Sequence, residues 1–223
     1  MTKDNHERLM DLGCHMDDSG MFVCDDVKEE EVKTPKSHNK KVAIFGSART
    51  SPDSGLFQSI ERISYELASE GWTIVTGGGP GSMEAANKGA YRYCGDDEEV
   101  CSLAHAIYLP FEEAINEYVQ EHTKHKEFFS RLKTFSECDA FIVSPGGIGT
   151  LLEMALVYQL IQVGHLERKP VICVGRMWRT LREWLENEML ESKFLSYEEL
   201  KMIHYVDRFS EAKQLLDGIV KNS

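Results

Sequence analysis

From Lys40 onward the chain alternates short apolar runs with helix-length amphipathic ones, and that alternation narrows the possible folds more than any other feature. The apolar runs are "KVAIFG", "WTIVTGG", "HAIYLP", "AFIVSPGG", "PVICVG" and a weaker "MIHYV". They read as strands, being short, near-continuously hydrophobic and rich in β-branched residues. Between and after them lie helix-length segments near residues 54–70, 82–93, 112–137 (in two pieces), 150–163, 177–190 and 209–220. Strands that read apolar on both faces and alternate with helices predict a parallel sheet covered on both sides, joined by right-handed crossovers. The expected fold class is therefore α/β: a Rossmann-like, doubly wound parallel sheet in three α/β/α layers.

Domain organisation follows from the same change of pattern. Residues 1–38, ending in "KEEEVKTPKSH", are charged and carry too little apolar surface to offset the entropy of ordering. They read as a polar, mobile tail, with one nucleotide-binding α/β domain over 39–223. The formal charge of −12, from 37 acidic against 25 basic residues, argues against nucleic acid or an anionic membrane as a partner. No stretch approaches the roughly 20 apolar residues of a membrane span, and the amino terminus lacks a signal peptide's hydrophobic middle. A cytoplasmic location is expected. The six cysteines show no paired zinc-type spacing, and in the cytoplasm they are expected to stay reduced. Cys14, His15 and Cys24 form at most a weak ligand set, and no metal is expected.

Sheets of this kind bind ligands at the carboxyl ends of their strands. Three of those ends are loaded with small residues: "FGSAR" at 45–49, "TGGGPGSME" at 76–84 and "SPGGIGT" at 144–150. A glycine loop running into a helix lets backbone N–H groups approach an anion, and the helix dipole favours negative charge there by about 0.5–2 kcal/mol. Two such loops suggest a phosphorylated ligand. In the first, Glu84 stands where a dinucleotide fingerprint needs its third glycine, and the second lacks the Lys-Ser/Thr ending of a P-loop. A monophosphate is the simplest ligand left.

Glu153 is the lone carboxylate in the greasy segment "TLLEMALVYQLIQV". Thr150-Leu151-Leu152-Glu153 has the form of a capping box, which would explain the glutamate without chemistry. The helix around it has no polar face and reads as buried, so its charge calls for a partner or a wet cleft. In "KEFFSRLKTFSECDAFIV", Phe128, Phe129, Leu132 and Phe135 form one apolar arc of a helical wheel, with Arg131 and Lys133 on its flanks. The apolar 150–163 helix exceeds what one small sheet can cover, and predicts at least a homodimer.

"PGGIGTLLE" matches the PGGxGTxxE signature of the Lonely Guy family of cytokinin-activating nucleoside 5′-monophosphate phosphoribohydrolases. "TGGGPGSMEAANKGA" resembles that family's second signature, "VAIFGSAR" its first strand, and "IYLPFEEAINEYV" a segment of its larger bacterial members. The resemblance covers residues 40 to about 210. Members have often carried the label lysine decarboxylase, but nothing here marks a pyridoxal-phosphate lysine, and no cofactor is expected.

The resemblance implies hydrolysis of the N-glycosidic bond of a nucleoside monophosphate, AMP-like or cytokinin-like, to free base and ribose 5-phosphate. It implies Arg131 and Glu153 as the catalytic pair, although the family's adjacent Arg-Lys is here Arg131-Leu132-Lys133. It further implies phosphate and substrate contacts from Gly146, Gly147, Gly149 and Thr150, with Ser47, Gly78, Gly79, Gly81 and Lys133 around them. Glu84 either contacts ribose hydroxyls or is an ordinary first-turn glutamate favoured by the dipole. The alternative function is a nucleotide-binding or sensing module that uses the same loops without turnover.

Overall fold

The computed structural model describes residues 14–16, 22–24, 40–95, 99–108 and 114–221. Most of the tail expected over 1–38 lies outside the described residues. Within it two short strands, β1 (Cys14–Met16) and β2 (Phe22–Cys24), pair antiparallel with Cys14 opposite Cys24.

The domain is built on seven parallel strands: β3 (Lys40–Phe45), β4 (Trp72–Thr76), β5 (Ser102–Ile107), β6 (Glu121–His125), β7 (Ala140–Val143), β8 (Val171–Val174) and β9 (Ile203–Val206). Their order across the sheet is β6-β5-β4-β3-β7-β8-β9. From β3 the chain winds outward to β6, then returns to the other side of β3 and winds outward to β9. This is the doubly wound topology that the alternation of strand and helix predicts.

The period-2 geometry of the strands sends alternate residues to opposite faces. Val42 and Ile44 join Ile74, Ile142 and Ile172 in a core covered by α1 (Gly55–Ser69), α2 (Ser82–Cys94) and α7 (Phe209–Lys221). Ala43 and Phe45 join Val75, Phe141 and Val143 in a second core under α3 (Phe128–Ser136), α4 (Ile148–Gln162) and α5 (Arg176–Trp184). Phe45 anchors the second core, edge-on to Phe135 at 5.2 Å and stacked on Phe141 at 6.0 Å. Fully burying a side chain of this size contributes about 1.5–3 kcal/mol. No helix among the described residues is long and apolar enough to cross a membrane.

Four expectations are corrected. The segment 112–137 is not two helices: it holds the edge strand β6 before α3. "EHTKH" has no apolar run, and only Thr123 and His125 turn inward. The helix expected over 177–190 is α5 continuing into a π-helical turn over Leu185–Leu190, and the short α6 (Tyr197–Leu200) carries its own capping box from Ser196 and Glu199. The α4 helix is not buried all round: only Thr150, Met154, Val157 and Ile161 are, while Ile148, Leu152 and Val163 face outward. Finally, Cys94 and Cys101 are joined in a disulfide, because the end of α2 and the start of β5 bring their Cα atoms to 6.2 Å. Cys138 and Cys173 are buried free thiols, and burial pushes the Cys138 thiol up to about 12.

Candidate functional site

The winding direction reverses between β3 and β7, and a crevice opens at the carboxyl ends of the strands flanking such a reversal. All three glycine-rich loops converge there. Gly46, just past β3, is so close to Ser144 after β7 and Ser82 at the start of α2 that a Cβ would overlap both. Ser82 N–H donates to the Ser47 carbonyl at 2.9 Å. Gly81 has a positive φ of 71° and lies against the backbone of Ser47 and Ala48, so only glycine fits. The loops at 77–81 and 145–149 therefore share one end of the sheet, with the 46–49 loop between them.

Beside this crevice lie Arg131 and Glu153. Arg131 Nη2 is 3.4 Å from Glu153 Oε1, with side-chain exposures of 10% and 13%. Arg131 Nε donates to the His105 carbonyl at 2.7 Å, and its guanidinium carbon sits 5.3 Å from the centre of the Phe135 ring. A pair so little exposed is only weakly screened by solvent and salt. The capping-box alternative does not form: α4 starts at Ile148 with Gly147 as its N-cap and no side-chain cap, which puts Thr150 in the third helical position and Glu153 in the sixth. The charge of Glu153 faces an arginine rather than a helix end.

The wheel drawn for α3 also needs correction. Its buried side is Arg131, Leu132 and Phe135, whereas Phe128 and Phe129 are exposed, Phe129 at 79%. Anchored to His105 by its Nε, Arg131 is carried inward as part of the helix's packed face. Lys133, two residues on, is exposed.

The remaining residues fall into two groups. Thr150 is buried, and its side chain occupies the space a Cβ on Gly146 would need, so the 146–150 turn closes only with glycine at 146. Gly147, Ile148 and Gly149 are exposed at the amino end of α4, where backbone N–H groups point out of the helix. On the other side, Gly78 N–H donates to Thr76 Oγ1 at 2.9 Å, and the Gly78 and Gly79 carbonyls accept from Asn116 Nδ2 at 3.0 and 3.1 Å. Ser47 Oγ accepts from the Arg49 N–H, and Glu84 is partly buried in the first turn of α2.

Sequence reasoning missed three residues. Asn87 is fully buried; it accepts from Thr76 Oγ1 at 2.6 Å and donates to Ser102 Oγ at 2.9 Å. Asn116 Nδ2 bonds the same Asn87 Oδ1 at 3.0 Å, so the two amides brace the glycine loop from below. A polar residue among the small residues of "MEAANKGA" was the available signal for Asn87. His105 is the third. Burial first, then the charges of His125, Lys41 and Arg131, lower its pKa to about 3, so the ring is neutral around pH 7.

A family model described as "Possible lysine decarboxylase" matches residues 83–216, and a model of the SLOG cluster 4 family matches residues 39–96. The chain belongs to the Lonely Guy family. Among relatives, the cytokinin riboside 5′-monophosphate phosphoribohydrolase of Mycobacterium tuberculosis is 28% identical over 174 residues, covering 77% of this chain and 90% of that protein. Two solved structures share the fold. The molybdenum cofactor binding protein of Rippkaea orientalis matches with a TM-score of 0.57 at 20% identity, over 81% of this chain and 97% of that one. The molybdenum cofactor carrier protein of Chlamydomonas reinhardtii matches at 0.57 and 18%, over 82% and 98%. In this Lonely Guy chain the PGGxGTxxE signature thus starts at Pro145, just past β7, and spans the turn at Gly146 and the first two turns of α4, with its closing glutamate against Arg131.

Proposed function

We propose that the protein hydrolyses the N-glycosidic bond of a nucleoside 5′-monophosphate, releasing the free base and ribose 5-phosphate. The observation that carries this reading is the secluded Arg131–Glu153 pair at the mouth of a crevice rimmed by two glycine loops. The 5′-phosphate is received at the amino end of α4 by the N–H groups around Gly146, Gly147 and Gly149 and by the Thr150 hydroxyl. The helix dipole and the outward-facing donors favour an anion there. Ser47, Gly78, Gly79, Gly81 and Glu84 line the opposite wall and face the nucleoside.

As the N-glycosidic bond breaks, positive charge builds on the ribose ring, and a carboxylate held close to it stabilises that charge. Glu153 supplies the carboxylate and takes a proton from the attacking water, whose oxygen bonds to C1′ as the base leaves and collects a proton. Arg131, 3.4 Å from Glu153, aims that carboxylate, and its guanidinium is positioned to hold a substrate oxygen as well. Lys133, exposed on α3, adds positive charge near the entrance. The acidic surface that disfavours nucleic acid leaves a small anion drawn in by local donors as the partner. Two copies of the chain associate through the outward apolar residues of α4.

A second reading is a binding or sensing module without turnover. It is favoured by the Arg131-Leu132-Lys133 spacing and by the molybdenum cofactor binding and carrier proteins of like fold. One experiment decides between them: incubation of the pure protein with a panel of nucleoside 5′-monophosphates, followed by chromatography for free base. Base release that depends on Glu153 supports the hydrolase; saturable binding without release supports the module.

A further inference from the structure

The hydrogen bonds around Arg131 continue past the His105 carbonyl. His105 Nδ1 is 2.6 Å from Thr123 Oγ1, which is 3.2 Å from His125 Nε2, and His125 Nδ1 is 2.8 Å from Ser130 Oγ. Ser130 immediately precedes Arg131 on α3. The path therefore leaves the helix, crosses β6 and β5, and returns to the helix one residue later through the bond from Arg131 Nε to His105 O. It forms a closed ring of five residues, of which His105, Thr123, His125 and Arg131 are all more than nine-tenths buried.

Two features give this ring a purpose beyond packing. Thr123 stands directly opposite His105 in the β5–β6 register, and among the described residues β6 is an edge strand of the sheet. The bond from His125 to Ser130 ties that edge to the helix that carries Arg131. An arginine side chain has several rotatable bonds, so the plane of its guanidinium depends on how firmly its acceptors, the His105 carbonyl and the Glu153 carboxylate, are themselves held. We infer that Thr123 and His125 are positioning residues, which through His105 and Ser130 fix the guanidinium of Arg131 in the orientation that meets Glu153. Each side-chain link needs one proton, and either sense of donation around the path satisfies all three. Neither residue touches the crevice, and their consequence for turnover rests on the hydrolase reading.

Thr123→Val keeps the shape of the side chain but removes the hydroxyl that joins the two imidazoles; Thr123→Ser keeps the hydroxyl; Ser130→Ala opens the ring at its other end. In the full-length ¹⁵N-labelled protein, the Arg131 Nε–H resonance is identified by its loss in Arg131→Lys. It should exchange slowly with solvent in the parent and in Thr123→Ser, and about tenfold faster or more in Thr123→Val and Ser130→Ala. If Thr123→Val does not fold, Ser130→Ala decides. For turnover, Thr123→Val should lower kcat by about tenfold or more through misplacement of Arg131, with Thr123→Ser close to the parent. Slow exchange in both ring-opening variants, or fast exchange in the parent, overturns the inference whatever the activity. A ring that behaves as expected in a protein releasing no base from any monophosphate sinks the hydrolase reading and leaves the positioning role standing.

Discussion

Gly77 packs directly on Arg131: a Cβ at this position would overlap Nη2 of the guanidinium and lie 2.8 Å from Sδ of Met83. The glycine loop after β4 therefore helps to set where the arginine sits, independently of any contact the loop makes with a ligand. Gly77→Ala should push the guanidinium off Glu153 and lower kcat/KM by about 10- to 100-fold, the scale set by displacements of about 1 Å. The accompanying stability loss should stay near 1–3 kcal/mol, as for other overpacked sites. Parallel steady-state kinetics and thermal melts check both; an unchanged kcat/KM would show that the position of Arg131 is immaterial.

Glu153→Gln retains size and removes charge. No cap is lost, because the α4 N-cap is the backbone of Gly147. Arg131 loses its ion-pair partner while keeping its bond to His105, so a thermal midpoint lowered by a few degrees is expected, at about 2–4 °C per kcal/mol for a chain of this length. Turnover of the best monophosphate should drop by at least about 100-fold. Near-parental turnover would leave Glu153 a purely structural partner of Arg131.

Asn116→Ala removes the amide that bridges the Gly78 and Gly79 carbonyls to Asn87. With two amide hydrogens shared among three acceptors, this clamp restrains the loop more than any one contact does. KM for the monophosphate should rise by about tenfold or less, the equivalent of one or two lost hydrogen bonds, with kcat less affected. A change confined to kcat would place Asn116 in the chemistry instead.

Strand–helix order, the convergence of glycine at three strand ends and the isolation of Glu153 were legible because each leaves a mark within a few consecutive residues. What pairs with what was not. Arg131 reads as a flank residue on the wheel, since Phe128 and Phe129 outweigh it in hydropathy, yet it turns inward because a carbonyl on β5 and a carboxylate on α4 await it. "EHTKH" concealed an edge strand because such a strand needs only one side in the core, and its two inward residues are polar and satisfied by each other. The capping-box pattern at Thr150 left an alternative open for the opposite reason: the residues fit, but the helix has its N-cap three positions earlier, at Gly147. Long-range partners leave no local trace, which is why Asn87, Asn116 and His105 emerged only from the fold.

His105 makes stability depend on pH in a predictable direction. Its folded pKa of about 3 lies below the ordinary value of 6.5, so the unfolded chain binds the proton more readily. Stability is then fully present above pH 6.5 and falls as the pH drops from there towards 3, by up to about 1.4 kcal/mol per pH unit from this group. Urea unfolding of the parent and of His105→Asn at pH 7 and pH 5 isolates the effect from the many carboxylates. The parent should lose about 2 kcal/mol more than the variant over that interval; equal losses would mean that His105 is protonated in the folded protein.

The last prediction concerns the outward face of α4. Ile148 and Leu152 are one helical turn apart, and Ile148 is 81% exposed. With Phe128 and Phe129 exposed on α3, they put large apolar groups in water at the end of the molecule that carries the crevice. Isolated exposed side chains are ordinary, but several on two neighbouring helices mark a surface that another protein covers. The proposed occupant is a second copy of the chain, for which a two-fold axis would set the same face of α4 against itself. Leu152→Arg should weaken the dimer by about 2 kcal/mol or more, roughly 30-fold in Kd, because a central contact would acquire a charge on both sides of the axis at once. Light scattering across a micromolar dilution series reads the change, alongside a circular dichroism spectrum to establish that the variant is folded. A parent that is monomeric throughout the series rules out the self-association.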